Sequence, residues 1–336
     1  MKIIYDNEKW GGTPMLSRRE TLLAGIATGL LSSAARASEP GTWPDYPAEE
    51  IELWPGTPPG APAVLPVEQV IDNGNAQHHG RIVKGIARPR MKLFRPAKPN
   101  GSALLVTPGG GYSVILIDGE GYLYAPWFAD RGWTVFVLYY RLPGEGWANR
   151  ADVPLADAQR AMRLIRSRAA RYGVDPDKVG ALGFSAGGHV CGDLATRFDA
   201  KVYDPVDAAD QLSARPAIAA PIYAVQSMSA PLAHAGSRDM LLGPDSSPEL
   251  QRAHSPAHNV TAATPPCFLA HAEDDRVVPV ENTLEMRAAL KAAGMKVETH
   301  LFTAGGHGLG LPGPAGEPAH HWKELFATWA QAQGLG

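Results

Sequence analysis

A serine set among small residues, in the run Gly183-Phe184-Ser185-Ala186-Gly187, constrains this chain more than any other feature. The run satisfies G-x-S-x-G, and it stands directly after the apolar stretch KVGALGF, which reads as a buried strand, and before a stretch that reads as a helix. A hydroxyl at that junction is reachable only if the backbone turns sharply, and the flanking glycines remove the side chains that would crowd the turn. The helix that follows offers unpaired N–H groups and a positive dipole end. The Ala186 N–H is therefore a candidate to stabilise negative charge on an attacked carbonyl oxygen.

The rest of the chain agrees with a strand–turn–helix scaffold. Short apolar runs at MKLFRP, SALLVTP, WTVFVLYY, AIAAPIY, CFLAHAE and VETHLF predict strands. Helices are predicted around GYLYAPWFADRG, over residues 154–172, and at ENTLEMRAALKAAG and HHWKELFATWAQAQ. This alternation predicts an α/β fold: a mainly parallel sheet with helices on both faces, and an antiparallel pair near its start. Residues 223–265 do not alternate and are expected to form a small cap or long loop near the site. Hydrophobic residues make up 45% of the 336 and charged residues 19%, enough apolar material for a core and too little charge for a disordered chain. Lys and Arg total 31 against 34 for Asp and Glu, so nothing in the charge balance attracts a nucleic acid or an anionic membrane.

Three further loops complete a reactive constellation. TPGGGYS places Gly109, Gly110 and Gly111 after an early strand, where the N–H groups of Gly110 and Gly111 can supply a second oxyanion donor. LFTAGGHGLGL offers His307 as a general base late in the chain. HAEDDRVVP offers Asp274 and Asp275 after a strand between them, with Asp275 preferred as the residue that orients the histidine. The chain order Ser185, Asp275, His307 is the α/β-hydrolase order and differs from those of chymotrypsin and subtilisin. Tyr112, next to the glycines, is a candidate substrate-binding residue and equally a core aromatic. His189 is expected to pack within its helix. The pairs His78–His79 and His320–His321 lack the further ligands of a metal site, so neither metal nor cofactor is called for.

In order along the chain, LWPGTPPGAP, VTPGGGY, EGYLYAPWFADRGWTVFVLYYRLP, DAQRAMRLIR, GFSAGGH, LLGPDSSPEL, TPPCFLAHAEDDRVVPVENTLEMRAAL and GGHGLGL resemble the BD-FAE-like α/β-hydrolase esterases related to bacterial acetyl and xylan acetyl esterases. That resemblance implies an α/β-hydrolase fold over residues 67–336 and a serine esterase acting on short, chiefly acetyl, esters of carbohydrates, small molecules or oligosaccharides. It also implies an acid at the aspartate of a D-x-V-V-P run, which is Asp275 here. Pro108 stands where hormone-sensitive-lipase-like relatives carry His, so their substrate preferences do not carry over. A peptidase or lactonase on the same scaffold, or a noncatalytic binding protein, remains an alternative.

Residues 17–37 read as an export signal: Arg18 and Arg19, an apolar run from Leu22 to Leu31, then Ala35-Arg36-Ala37 as a processing site. SRRETLL resembles a twin-arginine signal, read by the machinery that exports folded proteins; an ordinary secretory signal or a basic amphipathic helix is the alternative. The apolar run is too short to span a bilayer, so no stable membrane insertion is expected after processing, and a periplasmic or secreted location follows. A start at Met15 would give a signal of conventional length. Residues 38–66, rich in Pro and Gly, are expected to lie on the surface as an extended arm. Two cysteines, Cys191 and Cys267, make no disulfide framework and read as buried thiols.

Overall fold

The computed structural model describes residues 49–74, 80–309 and 317–336; the export signal, residues 38–48 of the arm and the pair His78–His79 lie outside them. Among the described residues ten strands form two sheets. The strands are β1 (Glu50–Glu52), β2 (Gln69–Asp72), β3 (Arg81–Lys84), β4 (Arg90–Phe94), β5 (Gly101–Thr107), β6 (Thr134–Tyr139), β7 (Val174–Phe184), β8 (Ala219–Ile222), β9 (Cys267–Ala272) and β10 (Val297–Phe302). Eight of them make one sheet in the order β1-β4-β6-β5-β7-β8-β9-β10, while β2 and β3 pair with each other and Val83 of β3 bridges Ile115. From β6 to β10 every neighbouring pair is parallel, and β1–β4 and β4–β6 are antiparallel.

The parallel strands owe their places to unbroken apolar runs. β6, β8 and β9 are buried along their whole length, and β5 is buried from Ser102 onward, as strands covered on both faces must be. The covering helices are α1 (Ala125–Ala129), α2 (Val153–Ser167), α3 (Ala169–Tyr172), α4 (Ser185–Thr196), α5 (Ala235–Leu242), α6 (Pro248–Ala253), α7 (Glu281–Ala292) and α8 (Trp322–Ala332). Every residue of α4 is buried. Both cysteines are free and buried, one in α4 and one in β9. No helix among the described residues is long and apolar enough to cross a membrane.

Several expectations need correction. The arm does not lie wholly on the surface: Glu50–Glu52 joins the main sheet beside β4, because Ile51 alternates with two glutamates and turns inward. Leu53 and Trp54 follow it into the core, where the Trp54 indole N–H donates to Asp157 at 2.8 Å. All four residues of β2 are exposed, whereas its antiparallel partner β3 sends Val83 into the core. The helix expected over 154–172 is two helices, interrupted at Arg168 with φ −115°. The one expected around 121–132 shrinks to α1, preceded by a π-helical turn, Ile117–Tyr122. The segment 223–265, expected as a small cap or long loop near the site, is a long connection that carries α5, α6 and a single 3₁₀ turn.

Candidate active site

Four loops converge where parallel strands end, the position at which open α/β sheets gather their reactive groups. They follow β5, β7, β9 and β10. At the end of β7, Phe184 is extended (φ −125°, ψ 135°) and Ser185 turns into the left-handed region at φ 52°, so the chain reverses between strand and α4. A non-glycine residue there is strained, and the strained turn sets the Ser185 hydroxyl at its tip, facing His307.

The structure brings Ser185, His307 and Asp275 together. His307 Nε2 lies 2.9 Å from Ser185 Oγ, and His307 Nδ1 lies 2.8 Å from Asp275 Oδ2. A carboxylate can only accept, so Nδ1 carries the proton and Nε2 is free to accept the serine hydroxyl. Asp275 Oδ1 accepts the N–H groups of Val277 at 2.8 Å and Val278 at 2.9 Å. Oδ2 is shared: His271 Nε2 approaches it at 3.1 Å and the Val278 carbonyl at 3.0 Å, and since both are acceptors this nitrogen donates. Burial pushes the Asp275 carboxyl up, yet the hydrogen bonds from His271, His307 and the Val278 N–H, with the His307 charge, hold it well below the usual carboxylate range. Asp274 is exposed and points elsewhere, its Oδ1 accepting the Gly306 N–H at 2.8 Å.

The oxyanion candidates lie beside the elbow. Ala186 occupies the first turn of α4, where an N–H has no partner four residues back. Gly110 and Gly111 adopt φ 129° and 63°, and among the described residues their N–H groups make no backbone hydrogen bond. The loop is closed by the N–H groups of Ser113 and Val114, which both donate to the Gly110 carbonyl. Ser237 in α5 comes within 4.0 Å of where a Cβ on Gly111 would stand, so part of the non-alternating segment does border the site.

Tyr112 is placed differently from a substrate contact. It is 1% exposed, and its hydroxyl lies 2.6 Å from His189 Nδ1. The other nitrogen of that ring faces the His254 carbonyl at 2.7 Å and so must carry a proton. Burial drives the His189 pKa down to about 4, which keeps the ring neutral and leaves Nδ1 to accept from Tyr112. The hydroxyl is thus spent inside the protein, because the loop turns the ring inward at φ 62°. Among the described residues no cluster of His, Cys, Asp and Glu could hold a metal ion.

Sequence reasoning passed over His271, His234, Tyr223 and Glu120. His234 Nδ1 caps α5 by accepting the Ser237 N–H, and burial lowers its pKa, helped by the nearby His307 charge. Only the apolar surroundings of His271 in CFLAHA could have flagged a polar group with a buried partner.

The strand order and the loops it carries define an α/β-hydrolase. Within that class the chain belongs to the BD-FAE family, whose model matches residues 95–290, more than half of the chain. It is 32% identical over 228 residues to the acetylxylan esterase of Xylanibacter ruminicola, a match covering 67% of this chain and 44% of that one. It is 38% identical over 227 residues to endo-1,4-beta-xylanase B of Butyrivibrio fibrisolvens, covering 68% and 34%. The chain thus spans less than half the length of these curated relatives. Among solved structures, the acetyl ester-xyloside bifunctional hydrolase of Caldicellulosiruptor lactoaceticus matches with TM-score 0.68 and 34% identity, over 86% of this chain and 97% of that one. The thermophilic esterase Est2 of Thermogutta terrifontis matches with TM-score 0.61 and 27% identity, over 74% and 90%.

Proposed function

We propose that this chain is an exported serine esterase that removes short acyl groups, acetyl foremost, from carbohydrate-derived alcohols such as acetylated xylan. The observation that carries the reading is one imidazole bridging Ser185 Oγ at 2.9 Å and Asp275 Oδ2 at 2.8 Å. His307 Nε2 takes the serine proton as Oγ bonds to the ester carbonyl carbon. The N–H groups of Ala186 and of Gly110 or Gly111 meet the oxyanion, each donor being worth roughly 3 kcal/mol. When the carbon–oxygen bond to the alcohol breaks, His307 returns that proton to the departing oxygen. It then takes a proton from water as the water oxygen attacks the acyl carbon; the carbon–Oγ bond breaks, His307 returns that proton to Ser185 Oγ, and the carboxylic acid leaves. Asp275 holds the imidazole tautomer and stabilises its charged form throughout.

The acetyl and sugar preferences are supported by the names of the relatives, and the ester chemistry by the geometry. Purified protein tested on acetylated xylan, acetylated monosaccharides and aryl esters of rising chain length is expected to release acetate from the sugars and to lose turnover as the acyl chain grows. Preference for octanoyl esters, or turnover confined to peptides or lactones, would replace this assignment. A protein with the fold but no turnover would leave Ser185 unlabelled by a fluorophosphonate probe.

Export rests on residues outside those described. The double substitution Arg18→Lys, Arg19→Lys is expected to hold the precursor in the cytoplasm, since the twin-arginine machinery reads the pair itself and not its charge. Immunoblotting of periplasmic fractions checks it; undiminished periplasmic protein would assign the signal to the general secretory route.

A further inference from the structure

Behind the oxyanion loop lies a carboxylate that the reaction above does not use. Glu120 sits in the π-helical turn Ile117–Tyr122, an irregularity of the kind that collects at functional sites. It is buried, with Oε2 accepting the Gly109 N–H at 2.6 Å and Oε1 accepting the Tyr223 hydroxyl at 3.1 Å. Both partners are donors, so each oxygen acts as an acceptor. Burial raises its carboxyl above the ordinary value, against the lowering pull of the Gly109 N–H, His307 and the Tyr223 hydroxyl. A group so costly to bury must do what an apolar residue of similar size could not.

Each oxygen leads to a different half of the site. Gly109 directly precedes the two oxyanion glycines and has no room to move: a Cβ there would stand 2.6 Å from Glu120 Oε2, 2.6 Å from the Phe184 carbonyl and 2.9 Å from Ser185 Cβ. The glycine loop is therefore packed against both the carboxylate and the serine elbow. Tyr223 follows β8 at φ 35°, and its ring centroid lies 5.1 Å from that of His307, edge to face. A strained backbone at a packing partner of the histidine persists only where something over-determines it, and the hydroxyl bond to Glu120 is such a restraint.

We propose that Glu120 is a positioning residue that fixes both halves of the site at once. By taking the Gly109 N–H it turns the following peptide groups toward the reacting carbonyl. By taking the Tyr223 hydroxyl it sets the ring against which the imidazole packs. The proposal rests on the serine-esterase reading, and the two fail separately: failure of that reading appears in the unmodified protein as an unlabelled Ser185, before any Glu120 variant is made.

The test compares Glu120→Gln, Glu120→Asp and Glu120→Ala on one aryl acetate. The Gln side chain keeps the shape, its oxygen accepting from Gly109 and its amide donating to the Tyr223 oxygen, so kcat is expected to stay within about fivefold of the unmodified protein. Ala releases both contacts and Asp reaches too short for both, and each is expected to lower kcat about 100-fold, the size of a 1 Å misplacement, with KM within about threefold. Affinity for an alkylboronic acid, whose tetrahedral adduct fills the same hole, is expected to fall in step with kcat/KM. If Glu120→Ala does not fold, Gln and Asp decide between them. An Asp variant as fast as the unmodified protein, or a Gln variant as slow as Asp at equal melting temperature, overturns the proposal.

Discussion

Ser185→Ala is expected to keep the unmodified melting curve and to lose ester turnover by about 10⁶-fold in kcat, the scale seen when a triad nucleophile is removed. The fold should survive because Ala meets the same left-handed backbone cost at φ 52° that Ser already bears, and because the hydrogen bond lost is to the partly exposed His307 ring. The chemistry should not survive, since no other hydroxyl or thiol hydrogen-bonds to His307 Nε2 among the described residues. Steady-state hydrolysis of an aryl acetate, a fluorophosphonate label and a thermal melt together read the result. Turnover retained with an unchanged melt would mean that the nucleophile is elsewhere.

The adjacent acids give the second large effect. In Asp275→Asn the amide oxygen can still accept from Val277 and Val278, which turns the NH₂ group toward His307 Nδ1 and His271 Nε2. Two donors then face a donor. His307 escapes by shifting its proton to Nε2, which leaves nothing to accept the serine proton, and a loss on the order of 10⁴ in kcat is expected. Asp274→Asn should be mild, because its amide oxygen can keep the single bond to the Gly306 N–H at an exposed site where substitutions cost about 0.5 kcal/mol or less. Circular dichroism guards against unfolding in both variants. Should Asp274→Asn prove the more damaging at equal stability, the orienting acid is Asp274.

What the sequence made legible follows from how local each signal was. Ser185, Asp275 and His307 each end an apolar run and border glycine or a turn, so strand and reactive loop could be read from a few residues. The second layer could not. Glu120 and Tyr223 are 103 positions apart, and neither DGEGY nor PIYAV carries a pattern that announces a partner. Nor does composition reveal that Tyr112 faces inward, since the choice was made by a positive φ and by His189, 77 positions away. The strand at Glu50–Glu52 hid among prolines for another reason: three residues are too few for alternation to stand out, and its pairing with β4 was decided by tertiary packing.

The sheet order has a consequence for synthesis. The elbow and the glycine loop hang from the neighbouring central strands β7 and β5, whereas Asp275 follows β9 and His307 follows β10, which among the described residues is the last strand and pairs only with β9. A ribosome therefore delivers the proposed nucleophile and oxyanion hole more than a hundred residues before the proposed base. On the proposed mechanism, a nascent chain that has not yet reached His307 holds a serine with no imidazole to activate it, so hydrolysis is withheld from every copy that stops short of the loop after β10.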